Sequence, residues 1–360
     1  MAAIPYDLIF EILSYLPSKT LMRFRTVSKK FNSLITDPRF SRLHHRRSRD
    51  RLFALSAISK HRGSDSLDLR IFLTDENNET IHEFTRCFYK DRVNRIIGSN
   101  HQLLCFVLDN SLSLYDPINR DFLELPSPSP RRVRSPHSVS FGFVDSTMQY
   151  KVIRWYLSHG SNLVFEVLTL TVTRGCRLEI SPWRLSEKHC PYLLRHSSPP
   201  VHVDEYVYWR SYDSQIVSFS LPDETFSVLS RPPCLSTKNQ RLENVREFML
   251  YGIRGKLWLV DCDNLEQAVD IWTRSDERSS NWIKVHRVGV FSERLAYTRS
   301  PFEMLDIHRD FVLFRLLHPN VVMYYDAREK TTRGTEELRG ELQLCHYVDG
   351  LLSLKNVFYS

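Results

Sequence analysis

No stretch of this chain approaches the roughly 20 consecutive apolar residues that a membrane-spanning helix needs. Asp7 and Glu11 interrupt the first apolar run and no small-residue cleavage site follows, so no secretory signal is expected. The GxSxG elbow, HExxH, GxxxxGK[ST] and GxGxxG patterns are all missing, which removes the sequence warrants for a hydrolase, a metalloprotease and a nucleotide-binding enzyme. The seven cysteines, at 87, 105, 176, 190, 234, 262 and 345, include no CxxC pair. An odd number at irregular spacing reads as reduced thiols in a cytoplasmic or nuclear protein. His189-Cys190 lacks further soft ligands at metal spacing, so neither metal nor cofactor is expected.

The charge that is present is unevenly placed. The net charge is +7, yet residues 1–51 hold 11 Lys/Arg against 4 Asp/Glu and the remaining 309 hold 38 against 38. A neutral body does not coat nucleic acid. The basic head suits an acidic protein partner about as well as phosphate. Its apolar residues recur at helical spacing: Leu8, Ile9, Ile12, Leu13 and Leu16 predict a helix over about 7–16 with Asp7 at its start. Pro17 stops it and Ser18 is placed to cap a second helix carrying Leu21, Phe24 and Val27; Ser28 is placed to cap a third with Phe31, Leu34 and Ile35. Asp37-Pro38 then ends the run, leaving Phe40 and Leu43 as a last apolar pair and His44-His45 in a basic segment. So short a head cannot hide all these side chains. Part of the set Pro5, Leu8, Ile12, Leu16, Pro17 and Leu21 is expected to face a partner, or else this protein's own body. A helix-turn-helix reading finds Arg23, Arg25, Lys29 and Lys30 but no polar face suited to reading bases.

These residues carry a specific resemblance. Ile4-Pro5, Asp7-Leu8-Ile9, Glu11-Ile12-Leu13, Leu16-Pro17, Leu21, Arg23-Phe24-Arg25, Val27-Ser28-Lys29, Phe31, Leu34-Ile35, Asp37-Pro38 and Phe40 follow in the order of an F-box. Residues 1–48 are therefore identified as an F-box domain. Ile4 stands for the usual Leu and Phe31 for the usual Trp, which keeps a ring and loses an indole N–H. The resemblance implies that Pro5, Leu8, Ile12, Leu16, Pro17, Leu21, Val27 and Phe31 dock a Skp-type adaptor and, through it, a cullin scaffold.

From residue 50 the texture changes to short aromatic and β-branched runs split by turn residues. Runs of one kind recur at Phe53, Leu103, Val152, Val207, Leu257 and Phe311, with intervals of 50, 49, 55, 50 and 54 residues. Several short strands at a period of about 50 predict a β-propeller, since kelch blades have that length. About six blades are expected over 49–360, with Leu342–Leu344 or Leu351–Leu354 returning to close the ring. A pair of large β-sandwiches is the alternative. The body also resembles the F-box-associated, kelch-like domain of plant F-box proteins. The landmarks are Gln102–Cys105, Leu114–Pro117, Asn119-Arg120, Leu125-Pro126, Phe141–Phe143, Tyr150–Val152, Val207–Trp209, Gly255–Leu257, Ile271-Trp272 and Trp282–Lys284. His101 and Asp116 depart from the usual Gly and Asn.

The fold class expected is thus a small all-α F-box head on an all-β, propeller-type body. The function the resemblance implies is substrate recognition in an SCF-type ubiquitin ligase, without catalysis by this chain. A non-ligase scaffold and a propeller enzyme acting on a small molecule are the alternatives. The carboxylates Asp204-Glu205, Asp223-Glu224 and Asp261/Asp263 are expected in solvated turns, and Trp155, Trp209, Trp258 and Trp272 between blades. Client contacts are expected on loops. The segment 126–138 has the most reach: Arg131, Arg132 and Arg134 suit an acidic or phosphorylated client, and Ser127, Ser129 and Ser135 are possible phosphate acceptors. Residues 60–66, 236–244, Tyr212-Asp213 and Asp276–Ser280 are further loops or turns. No nucleic acid and no membrane is expected among the partners.

Overall fold

The computed structural model describes residues 5–48, 52–60, 66–74, 80–89, 93–100, 102–108, 111–117, 119–127, 138–158, 163–173, 177–236, 248–263, 268–274, 281–289, 302–308, 310–317, 320–337, 341–347, 350–352, 354 and 357–359. They form two compact units, residues 1–189 with 221–223 and 341–360, and residues 190–220 with 224–340.

The first unit opens with four helices, α1 (Tyr6–Leu13), α2 (Ser18–Phe24), α3 (Lys29–Ile35) and α4 (Pro38–Ser48). Ser28 caps α3 as expected: its backbone is extended and its Oγ accepts the Phe31 N–H at 3.1 Å. Ser18 does not cap α2. Pro17 holds the cap position, and Ser18 is the first helical residue with no side-chain cap on that helix. Beyond Asp37-Pro38, where the third segment was expected to end, the chain continues as a fourth helix rather than as an isolated apolar pair. The Asp37 carboxylate accepts the Arg39 N–H at 2.8 Å, and Pro38 occupies the first helical position, where its missing N–H costs nothing. His44 and His45 are consequently buried on a helix.

The remaining strands of this unit make three sheets. The first contains β1 (Leu52–Lys60), β2 (Ser66–Thr74) and β3 (Thr80–Tyr89), completed by β25 (Glu341–Tyr347) in the order β25-β1-β2-β3. The second is β4 (Val93–Asn100), β5 (Leu103–Leu108), β6 (Ser111–Asp116) and β7 (Asp121–Glu124), paired in sequence order. The third holds β8 (Val139–Val144), β9 (Gln149–Leu157), β10 (Leu163–Thr173) and β11 (Arg177–Ile180). Two-residue β12 (Arg184–Leu185) also pairs with β10, and β26 (Val357–Tyr359) runs parallel to β11. Side chains of the second and third sheets, among them Leu103, Leu114, Phe141, Val152, Leu168 and Leu178, share one core.

The second unit holds three sheets of four antiparallel strands. They are β13 (Val201–Val203), β14 (Tyr206–Arg210), β15 (Ile216–Ser220), β16 (Phe226–Leu229); β17 (Phe248–Ile253), β18 (Lys256–Asp263), β19 (Ala268–Arg274), β20 (Trp282–Gly289); and β21 (Phe302–His308), β22 (Phe311–Leu317), β23 (Asn320–Asp326), β24 (Thr331–Glu337), with a short α5 (Pro233–Ser236) after β16. Inner strands are shielded on both sides: every residue of β15, Ser218 and Ser220 included, is buried, whereas outermost β16 has none buried. The β17–β18 hairpin turns on Arg254 and Gly255, at φ 53° and 66°. Two such residues in succession give the twist that a two-residue hairpin requires. The guanidinium of Arg254 is held by Asp306 through two hydrogen bonds of 3.0 and 2.9 Å, which offset the strain of its left-handed backbone.

The body is therefore all-β and propeller-type, and not a pair of sandwiches. The six recurring runs each fall in the second strand of a separate sheet, β1, β5, β9, β14, β18 and β22. The expectation of about six blades needs correction: five sheets are regular four-stranded blades, not six. The third sheet has six strands, because β12 folds back on β10 and β26 extends the edge of β11. Of the two expected closing segments, 342–344 lies in β25 and pairs with β1. Asp261 and Asp263 are a second correction. They lie in β18 rather than a turn, and Asp261 is fully buried opposite Asp270.

The helical head as a candidate docking site

The apolar stripe of α1 divides between two faces. Ile9, Leu13 and Leu16 turn inward, with Leu13 buried among Leu21, Leu34, Ile35 and Phe40. Leu8 and Ile12 turn outward, at 54% and 57% exposure. Tyr15, two residues past the end of α1, is also exposed. Pro5 and Pro17 flank this face and are exposed, and Val27, between α2 and α3, is exposed at 67%. Large apolar side chains left in water on one helical face are the mark of a protein contact.

Polar contacts brace the helices beneath that face. His44 on α4 makes a 2.8 Å hydrogen bond through Nε2 to the Leu16 carbonyl, which fixes Nε2 as the protonated nitrogen. Arg47, also on α4, pairs with the Glu11 carboxylate at 2.5 Å, donates to Ser14 Oγ and lies 4.0 Å over the Tyr15 ring. Phe10 meets Phe40 edge-on at 5.1 Å, and Phe24 meets Phe31 at 6.0 Å. The outward residues are thus presented on a scaffold that α4 holds from behind.

The residues expected to dock an adaptor are not equivalent. Pro5, Leu8, Ile12, Pro17 and Val27 are exposed, and Leu16 and Phe31 are half-buried. Leu21 is fully buried, so it supports the face from within. Tyr15 is absent from the expected set; its spacing from Leu8 and Ile12 was the available signal. Arg131, Arg132 and Arg134, with Ser129 and Ser135, lie outside the described residues, as do Asp276–Ser280 and most of 60–66 and 236–244. The start of the 126–138 segment is fixed by the Trp183 indole N–H, which donates to the Pro126 carbonyl at 2.7 Å. Tyr212 is exposed beside Leu193, its N–H bonded to the Leu193 carbonyl.

Among the described residues, several aromatic and ionisable groups of the body are buried within its sheets. Trp155, Trp209 and Trp258 are buried, and Trp272 packs against the core shared by β13–β20. Burial pushes the thiols of Cys105 and Cys190 up, which makes them poor nucleophiles. Arg154 and Glu166 form a buried pair at 2.6 Å on adjacent strands β9 and β10. The Asp116 carboxylate accepts from the Gln102 amide at 2.9 Å and from the Asn119 amide at 2.7 Å, so the departure from Asn keeps a bonded turn. Among the described residues no three His, Cys, Asp or Glu side chains gather as metal ligands, and no helix is long and apolar enough to cross a membrane.

Comparison with known proteins agrees with both halves of this architecture. Residues 2–43 match the F-box domain family, and residues 49–343 match the F-box associated beta propeller domain. The F-box protein At3g07870 of Arabidopsis thaliana is 26% identical over 81% of this chain and 74% of its own length. The putative F-box protein At5g50220 of the same plant is 25% identical over 92% of this chain and 84% of its own. The F-box/kelch-repeat protein At4g19930, also of Arabidopsis thaliana, is 26% identical over 78% and 68%. The two matches fall on the helical head and on the blade-like sheets in turn, and the chain belongs to the F-box proteins that carry an F-box associated beta propeller domain.

Proposed function

We propose that this protein is the substrate-recognition subunit of an SCF-type ubiquitin ligase. The observation that carries the reading is the exposure of Leu8, Ile12 and Tyr15 on a head that matches the F-box family. In this reading Pro5, Leu8, Ile12, Pro17 and Val27 dock a Skp-type adaptor, with Leu16 and Phe31 at the margin and Leu21 holding the helices together. The adaptor bridges to a cullin scaffold. The body holds a client protein close to a charged ubiquitin-conjugating enzyme, and the rate gain comes from proximity rather than from a catalytic side chain here. Client contacts fall on loops, with Arg131, Arg132 and Arg134 facing an acidic or phosphorylated client. The protein works in the cytoplasm or nucleus, where adaptor and cullin are found.

Affinity capture of the tagged full chain from plant cells, followed by mass spectrometry, tests this. Adaptor and cullin together support the ligase reading. Adaptor without cullin moves the protein to a non-ligase scaffold, and neither partner overturns the proposal.

A further inference from the structure

The four helices of the head do not close their own core. Leu351, 1% exposed, packs in it with Leu13, Leu21, Leu34, Ile35 and Phe40. It comes from a segment more than 300 residues away that is held by the body on either side. The Gln102 side-chain amide grips the next residue in both directions: Nε2 donates to the Leu352 carbonyl at 2.7 Å, and Oε1 accepts the Leu352 N–H at 2.6 Å. Gln102 Nε2 also donates to Asp116, and Asn119 Nδ2 donates to the same Leu352 carbonyl at 3.0 Å. Gly350 passes so close that a Cβ there would stand 2.2 Å from Gln102 Oε1. Leu352 and Leu354 are buried in the core of the second and third sheets, and β26 then pairs with β11.

Adjacent residues therefore enter two different cores. We propose that the segment carrying Gly350, Leu351, Leu352, Leu354 and β26 is a strap that seats the head on the body, with Leu351 as its plug and the Gln102 amide as its clasp. The clasp suits a neutral amide, because only a group that both donates and accepts satisfies the two backbone atoms of Leu352. Stability of the head then depends on the strap being seated, whatever the head itself binds.

Hydrogen–deuterium exchange of the full chain tests this. Leu351→Ala removes buried volume from the head core, and protection in α3 and α4 should fall roughly 30-fold or more. Gln102→Glu keeps the volume and loses the donor, and it should lower protection in those same helices severalfold although its bonds are made to the body and the strap. Unchanged head exchange in Leu351→Ala overturns the proposal. So does a Gln102→Glu effect confined to residues 93–124. Should Leu351→Ala fail to fold, Gln102→Glu decides alone, and head exchange equal to the wild type then overturns the strap.

Discussion

Replacing Leu8 with Glu and Ile12 with Lys tests the docking face without disturbing the fold. Both side chains are a little more than half exposed, so neither substitution empties a core. The new residues stand four apart with the acid N-terminal, an arrangement worth about 0.2–0.5 kcal/mol to a helix. Asp7 already places a carboxylate in that first turn, so another is compatible with the helix dipole. The cost in binding is much larger. Each wild-type side chain leaves on the order of 100 Å² for a partner to cover, which at about 25 cal/mol per Å² gives roughly 5 kcal/mol for the two. Interface contributions are not additive and ordering costs subtract from them, so the expected loss is about 3–5 kcal/mol. At 1.4 kcal/mol per decade that is between two and four powers of ten in affinity. Isothermal titration of purified chain with recombinant adaptor measures it, and a thermal melt checks the fold. An affinity within about threefold of wild type, with an unchanged melt, would refute the reasoning.

Four further outcomes concern the body. Glu166→Gln leaves the Arg154 guanidinium, whose side chain is 3% exposed, without its carboxylate, and should cost about 3–5 kcal/mol in urea unfolding. Arg328→Ala, which breaks an exposed pair with Asp310, should leave the urea midpoint essentially unchanged, because solvent screens that pair. Gly252→Ala places a Cβ 2.3 Å from the His202 carbonyl of the neighbouring sheet and should destabilise by about 1–3 kcal/mol, whereas Gly98→Ala meets nothing within 4 Å and should change stability by less than about 1 kcal/mol. Burial lowers the pKa of His202 from the ordinary 6.5 to about 4. The unfolded chain therefore binds a proton that the folded chain refuses between those values, so stability is full above pH 6.5 and falls as the pH drops to about 4. Part of the residue stays accessible, so the loss is on the order of 2 kcal/mol rather than the roughly 3 of the full shift. His202→Gln should flatten that slope in melts taken across the window.

The strand repeat was legible because burial imposes it. The second strand of each sheet is shielded by neighbours on both sides, so it collects apolar residues at a near-constant interval, as in Val207-Tyr208-Trp209 and Leu257-Trp258-Leu259. The irregular sheet was not legible, because Arg184-Leu185 and Val357–Tyr359 are too short to show a period. In the head, the spacing marked α1 as amphipathic but could not separate its inward half from its outward half. That separation depends on where α4 lies, and α4 is announced by Asp37-Pro38, a pair that ends one helix and equally starts the next. Leu351 could be read only as part of a segment returning to close the ring; its place in the head core was not legible, since its partners there lie at the other end of the chain.

The pairing of β25 with β1 joins Leu52 to Tyr347 and Ile58 to Glu341. During synthesis, the backbone edge of β1 has no such neighbour until some 280 more residues have been made. At about 5–20 residues per second that interval lasts roughly 15 to 60 s. An open strand edge is a template for pairing with other chains, so this is when a nascent molecule is most exposed to aggregation. The same long separation predicts slow refolding of the finished chain, with the first sheet completed last.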